Sequence, residues 1–228
     1  MTPIQKLDRL GLSRMKGNLS SYIMSIITPI FATPLYKEFW DDRDQLDELR
    51  KYIEEDVEFD DGQSKSTDII SEEKFFTLKK FFYRCLTDYL RNIYCTENNL
   101  KITQSWVNLS RKGDAHKIHH HPNSVISGVF YVSSEEYSPP IQFYRPDILP
   151  YQFDSNSLNE YINDRFSHHP QMGALLLFPS HVLHFVEQNN EETDRVSISF
   201  NTTLDGVCGN ERSLTLSSLS SGTQGLTP

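Results

Sequence analysis

The sequence predicts a mainly β fold preceded by helices, and three observations predict it. Apolar residues recur with helical spacing up to about residue 93 and with period two after Leu100. The period-two half breaks into short runs separated by turn residues, the pattern of an antiparallel sandwich or barrel. A chain of 228 residues with 37% hydrophobic content, including 14 Phe and 11 Tyr, is long and apolar enough for one large domain with a real core.

The organisation expected along the chain is a weakly ordered lead-in over 1–25, a single domain over 26–206 and a flexible Ser/Thr/Leu/Gly-rich tail over 207–228. Within the domain, 26–100 reads as helical support and 101–206 as the β core. The segment 26–35 is extended and broken by Pro29 and Pro34. A first helix over 41–54 follows from Leu46, Leu49, Tyr52 and Ile53 on a charged background. The acidic stretch 56–66, with Gly62, reads as a loop. A second helix starts near Ser71, where Glu72 and Glu73 suit the positive end of the helix dipole. Its stripe of Phe75, Leu78, Phe82, Cys85, Leu86, Tyr89 and Ile93 packs against a sheet. Strands are expected over 102–110, 115–121, 124–133, 141–144, 173–179, 181–187 and 195–203. The polar, aromatic and proline-bounded stretch 145–170 is long for a compact domain and reads as a lid, with Tyr151, Phe153, Tyr161 and Phe166 placed to touch substrate.

Composition excludes several classes. The net charge of -9, without a clustered Lys/Arg stripe, argues against nucleic acid as a partner. The apolar run 22–27 ends in prolines and is too short to cross a bilayer, and the charged N-terminus is no signal peptide. Cys85, Cys95 and Cys208 are odd in number, far apart and without a CxxC, which points to a reducing, cytoplasmic setting. Oligomeric state, a homodimer included, stays open.

The chemistry gathers in one window. All eight histidines lie between His116 and His184. On a strand, His119 and His121 face one side and His120 the other, so His-x-His is a two-ligand platform for a divalent metal, be it iron, zinc, copper or nickel. His184 is the third candidate, because it follows the buried run 173–180 and starts the next element. His116, His120, His168, His169 and His181 read as ordinary surface or core histidines. In Arg195-Val196-Ser197-Ile198-Ser199-Phe200-Asn201 one face is apolar and the other polar. Arg195 on the polar face offers a planar fork for a carboxylate, and Ser197 shares that face.

Trp106-Val107-Asn108, His119-His120-His121-Pro122-Asn123-Ser124, Ser127-Gly128-Val129-Phe130-Tyr131-Val132, Gly173 through Ser180, His184, and Arg-x-Ser eleven residues after it recur in a set order. The chain thereby resembles the double-stranded β-helix oxygenases that depend on iron(II) and 2-oxoglutarate, a prolyl-hydroxylase-like superfamily. More narrowly it is similar to a 2-oxoglutarate/iron(II) oxygenase family known largely from sequence. The resemblance covers about residues 28–206 and implies a jelly-roll core packed by helices. It implies an oxidoreductase: a dioxygenase that uses Fe(II), 2-oxoglutarate and O2, gives succinate and CO2, and hydroxylates an unidentified primary substrate. By position, His119 and His184 match the two histidine ligands. Arg195, with Ser197 beside it, matches the arginine that binds the distal carboxylate, and Asn108 and Tyr131 fall on strands that line the co-substrate pocket.

One position departs from the superfamily. The usual carboxylate ligand, two residues after the first histidine, is His121 here. This implies a three-histidine site of His119, His121 and His184, with Glu187 and Asp114 as the nearest acids that could ligate instead. Two other readings stand beside it. One is a cupin-like metalloenzyme without 2-oxoglutarate, which Gly113 and the His-x-His also fit. The other is a non-catalytic jelly-roll binding module. The arginine clamp separates the oxygenase from the cupin, and open metal positions separate an enzyme from a closed structural site.

Overall fold

In the computed structural model of the protein the described residues are 32–134, 137–145, 154, 156–157, 159 and 161–219. The lead-in expected over 1–25, the end of the tail (220–228), and Tyr151 and Phe153 lie outside them. The chain divides into two units, with the boundary between Ala32 and Thr33. The fold described below is that of the second.

Among the described residues twelve strands and two α-helices follow in the order β1 (Tyr36–Phe39), α1 (Arg43–Asp56), β2 (Phe59–Asp60), β3 (Gln63–Ser64), α2 (Phe76–Tyr89), β4 (Asn99–Ser110), β5 (His116–His119), β6 (Ile126–Ser133), β7 (Ile141–Tyr144), β8 (Arg165–His168), β9 (Ala174–Pro179), β10 (His184–Val186), β11 (Arg195–Cys208) and β12 (Ser217–Leu219). They form two antiparallel sheets. The major sheet runs β1-β9-β6-β11-β4-β3-β2, with β12 paired to β11, and the minor sheet runs β5-β10-β7-β8. This is the expected jelly-roll core with helices packed on it.

Alternation along the central strands gives the major sheet two different faces. Val196, Ile198 and Phe200 of β11, Ile126, Phe130 and Val132 of β6, and Leu175 and Leu177 of β9 join the core shared with α1 and α2. Phe82 of α2 stacks on Phe200 with ring centroids 4.8 Å apart and meets Phe130 at 5.6 Å. Gly128 makes room for this contact, since a Cβ there would lie 2.2 Å from the Phe200 ring. The opposite face carries Arg195, Ser197 and Ser199. Beside them Val129, Tyr131, Ala174, Leu176 and Phe178 pack against Ile141, Phe143 and Val186 of the minor sheet. The helices support the sheet, and the cavity lies between the sheets.

Several sequence expectations are corrected. The stretch 56–66 is the β2–β3 hairpin, not a plain loop. It turns at Asp61 and Gly62, both with positive φ, and Leu109 donates its N–H to the Gly62 carbonyl at 2.7 Å. Two 3-10 turns, Ile69–Ser71 and Glu73–Phe75, precede α2, and a π-helical turn, Leu90–Tyr94, extends it. The core stripe therefore stops at Leu90, and Ile93 is exposed. Residues 165–168 of the expected lid form strand β8; of the expected tail, 207–208 end β11 and Ser217–Leu219 form β12, which pairs back on 206–208. Among the described residues no helix is long and apolar enough to cross a membrane.

Candidate functional site

Three histidines meet at the mouth of the cavity between the sheets. His119 ends β5, and His184 opens β10 and is paired with it in register. Between the pairs His119–His184 and His116–Val186 the register shifts. Two residues of β5 oppose one of β10 there, which is a bulge and turns His116 and His119 to the same side. His121 lies beyond the strand end. Strand parity predicts that it shares a face with His119, and the two do share the cavity, but not through strand pairing. The His121 N–H donates to the Ser180 carbonyl at 2.9 Å.

The ligand atoms of His119, His121 and His184 all lie within 4.8 Å of one another. Nε2 of His121 and Nε2 of His184 are 3.2 Å apart. In His119 and His184 the other ring nitrogen is engaged away from the cluster. Nδ1 of His119 lies 2.7 Å from the Lys117 carbonyl, and Nδ1 of His184 lies 2.9 Å from the Val182 carbonyl. A carbonyl only accepts, so both Nδ1 atoms carry the proton and both Nε2 atoms present lone pairs to the common centre. Burial, with the neighbouring histidines adding to it, holds His121 down to about pKa 4 and His184 down to about 3. Both rings are neutral at physiological pH, as metal ligation needs. The donor set fits a divalent metal of the imidazole-binding group.

A pH dependence follows for the metal-free protein. The folded-state pKa of His184 lies below the unfolded value, so the unfolded chain binds more protons between about pH 3 and 6.5. Folding stability should fall with decreasing pH across that window, by up to about 1.4 kcal/mol per pH unit from His184 alone. Melting temperatures of the wild type and His184→Gln between pH 7 and pH 5 check it, since the substitution should flatten the slope. Equal slopes would show that His184 does not contribute.

The far end of the cavity has the opposite character. Arg195 is buried and its Nε has no hydrogen-bond partner among the described residues. The Tyr131 hydroxyl and Ser110 Oγ are likewise buried without partners. Register pairs Arg195 with Ser110, and Ser197 with both Asn108 and Tyr131. The guanidinium lies over the Tyr131 ring at 5.1 Å and does not bond its hydroxyl. Burial raises the Tyr131 pKa against the pull of Arg195, so the phenol keeps its proton as a donor. A buried cation beside unpartnered hydroxyls offers a set of donors with the chemistry to receive a carboxylate.

Asn108 and Ser197 also line the cavity. Asn108 is held by its neighbours: Nδ2 donates to Ser199 Oγ at 2.9 Å, and Oδ1 accepts from the Trp106 indole at 3.1 Å. That bond orients Trp106, whose ring lies 6.1 Å from the His121 ring. Two cavity residues escape the sequence reading: Gln63 is brought in by the β2–β3 hairpin and His116 by the bulge. Ser110, the register partner of Arg195, escapes it as well. The Asp61-Gly62 pair was the available signal for the hairpin. Phe166 pairs with Phe143, which pairs with His184, so these three rings share the inner face of the minor sheet, with Phe166 exposed at its edge. Glu187 and Asp114 are both exposed and stand outside the histidine cluster.

Residues 104–201 match the family model described as "Putative 2OG-Fe(II) oxygenase". Over those residues the chain is similar to the 2OG-Fe(II) oxygenase family. They contain the three histidines and the Arg195 strand, and the chain is an oxygenase dependent on iron and 2-oxoglutarate. Among solved structures the oxygenase is similar to a prolyl-4-hydroxylase from Pseudomonas putida, with TM-score 0.55, 12% identity, and 76% of this chain and 94% of that one covered. It is similar to HygX from Streptomyces hygroscopicus bound to nickel, 2-oxoglutarate and hygromycin B, with TM-score 0.54, 12% identity, and 75% and 82% covered. A 2OG-Fe(II) oxygenase-family oxidoreductase from Burkholderia pseudomallei gives TM-score 0.52, 11% identity, and 71% and 79% covered. At such identities the likeness establishes the fold. No curated protein matches the oxygenase in sequence.

Proposed function

We propose that the oxygenase is a dioxygenase in which His119, His121 and His184 hold Fe(II), while Arg195, Ser197 and Tyr131 hold 2-oxoglutarate. The observation that carries this reading is the pairing of converging imidazole lone pairs with a buried, unpartnered guanidinium and phenol deeper in the same fold. When bound, iron(II) with 2-oxoglutarate supplies oxygen activation, with succinate and CO2 as co-products and hydroxylation of a primary substrate as the outcome.

The residues of this chain prepare for that chemistry in three ways. The Lys117 and Val182 carbonyls fix the tautomers of His119 and His184 and keep both rings aimed. Three imidazole ligands in place of two and a carboxylate leave the site one unit more positive, which favours a dianionic co-substrate. Arg195 is already desolvated, so its attraction for a carboxylate is little screened by water. Ser197 and the protonated Tyr131 add donors from the same face, and Asn108 forms a wall that keeps Trp106 beside the metal position. The cupin-like alternative needs no carboxylate clamp and leaves the unpartnered Arg195 unexplained.

The charge of -9 favours a primary substrate other than nucleic acid. One domain over 26–206 carries the activity. Three free cysteines, one of them buried, suit a reducing, cytoplasmic setting. The test is anaerobic titration of iron(II) and then 2-oxoglutarate into metal-free protein. A visible charge-transfer band should grow with 2-oxoglutarate and saturate at one equivalent. Bound iron with no such band at any 2-oxoglutarate concentration would refute the chelate.

A further inference from the structure

The turn 179–183 supplies none of the proposed ligands, yet both His121 and His184 hang from it. We propose that Ser180 is a positioning residue of the metal centre, which ties this turn to the major sheet and so holds His121 and His184 in ligating geometry. The inference rests on reading the three histidines as metal ligands.

The turn uses its carbonyls one after another. Pro179 accepts from Val182 N–H at 3.0 Å, and Ser180 accepts from His121 N–H at 2.9 Å. Val182 accepts from the His184 ring at 2.9 Å, and Leu183 accepts from Tyr144 N–H at 2.8 Å. His121 lies past the end of β5 and has no strand partner, so the Ser180 carbonyl is what places its backbone. A shift of the turn would move the backbone of one ligand and the ring of another together.

Ser180 anchors the turn at its other end. It is fully buried, and its N–H donates to the Val125 carbonyl at 3.1 Å. Its hydroxyl donates to Ser124 Oγ at 2.7 Å and pairs with Ser127 Oγ at 2.8 Å. Ser124 Oγ also accepts from Thr202 N–H at 3.1 Å, and Ser127 lies 2.9 Å from the Asn201 side chain. Three hydroxyls thus link the turn to β6 and β11, in a place where an apolar residue would fill the space without fixing direction. Buried polar networks of this kind specify one geometry at the expense of alternatives.

The test is titration of cobalt(II) into the full chain, read by its visible ligand-field bands and by affinity. Ser180→Ala should weaken cobalt binding about 10-fold or more, the usual range for residues that orient metal ligands, and should shift the bands. Ser180→Cys, which keeps a small donor, should recover part of both. Ile198→Val serves as the comparison, since it lowers stability from the helix-facing core and should leave cobalt affinity and spectrum unchanged. If Ser180→Ala does not fold, Ser124→Ala decides, because it removes the acceptor of the Ser180 hydroxyl and leaves the turn sequence intact; it should give the same changes in smaller measure. Wild-type affinity and spectrum in the folded alanine variant, with His184→Ala unable to bind cobalt, would overturn the role of Ser180 alone. Unchanged cobalt binding in His184→Ala would overturn the ligand assignment itself.

Discussion

His184→Ala and His119→Ala should each lose iron(II) binding, whereas His120→Ala and His181→Ala should retain it. The two essential rings present Nε2 to a shared centre, while His120 and His181 are exposed and stand outside it. Structural zinc sites with four ligands bind with about 10–16 kcal/mol, so one ligand is worth roughly 3 kcal/mol, or about 100-fold in affinity. In a site of three protein ligands that loss should empty the protein at micromolar metal. His121 is the informative middle case. His121→Asp restores the carboxylate found elsewhere in the superfamily and should keep iron and some turnover, although the shorter side chain starts from a backbone placed for imidazole. Metal content after reconstitution and gel filtration is the measurement. Full iron retention by His184→Ala would remove the proposed centre, and His121→Ala equal to wild type in iron affinity and 2-oxoglutarate decarboxylation would remove His121 from it.

The two halves of this centre were not equally legible in the sequence. Arg195 and Ser197 follow from alternation, because β11 is long and buried on its helix-facing side, and the register shifts beside it place the extra residue on β4 or β6 and not on β11, so parity holds along it. The strands of the major sheet were readable for the same reason, as Val196, Ile198 and Phe200 show. On the short minor-sheet strands parity fails. The bulge in β5 brings His116 to the side of His119, and no local signal in His116-Lys117-Ile118-His119 announces it. His121 reaches the centre through a bond to Ser180, 59 positions away, which no window of sequence can contain. The β2–β3 hairpin was missed for a different reason. Its acidic composition suggested a loop, yet Asp61-Gly62 is itself a hairpin turn signal, and strands of two residues are too short for periodicity to show. The partnerless state of Tyr131 and Ser110 is a property of packing alone. It becomes visible only when every buried donor is matched to an acceptor.

Arg195→Met should separate stability from function. In the metal-free protein the guanidinium is buried with its Nε unpartnered, at a cost in desolvation that only an anion can offset. Methionine removes that cost and packs well against the Tyr131 ring now under the guanidinium, so the melting temperature of the apo protein should hold or rise. Binding of 2-oxoglutarate should suffer the opposite fate. Its distal carboxylate would be left buried without a partner, and losing a desolvated charge pair of this kind typically costs about 2–5 kcal/mol, or roughly 30-fold to several thousand-fold in affinity. Arg195→Lys should recover only part, because a point charge cannot reproduce the two-pronged contact of the planar fork. Iron affinity should barely change, since the ligand set is His119, His121 and His184 and the Arg195 side chain is not among the converging atoms. The experiment follows iron-dependent conversion of 2-oxoglutarate to succinate across co-substrate concentration, with metal content and melting temperature measured on the same preparations. A folded, iron-loaded Arg195→Met protein with an unaltered 2-oxoglutarate requirement would eliminate the clamp, and the unpartnered guanidinium would then need another anion to account for it.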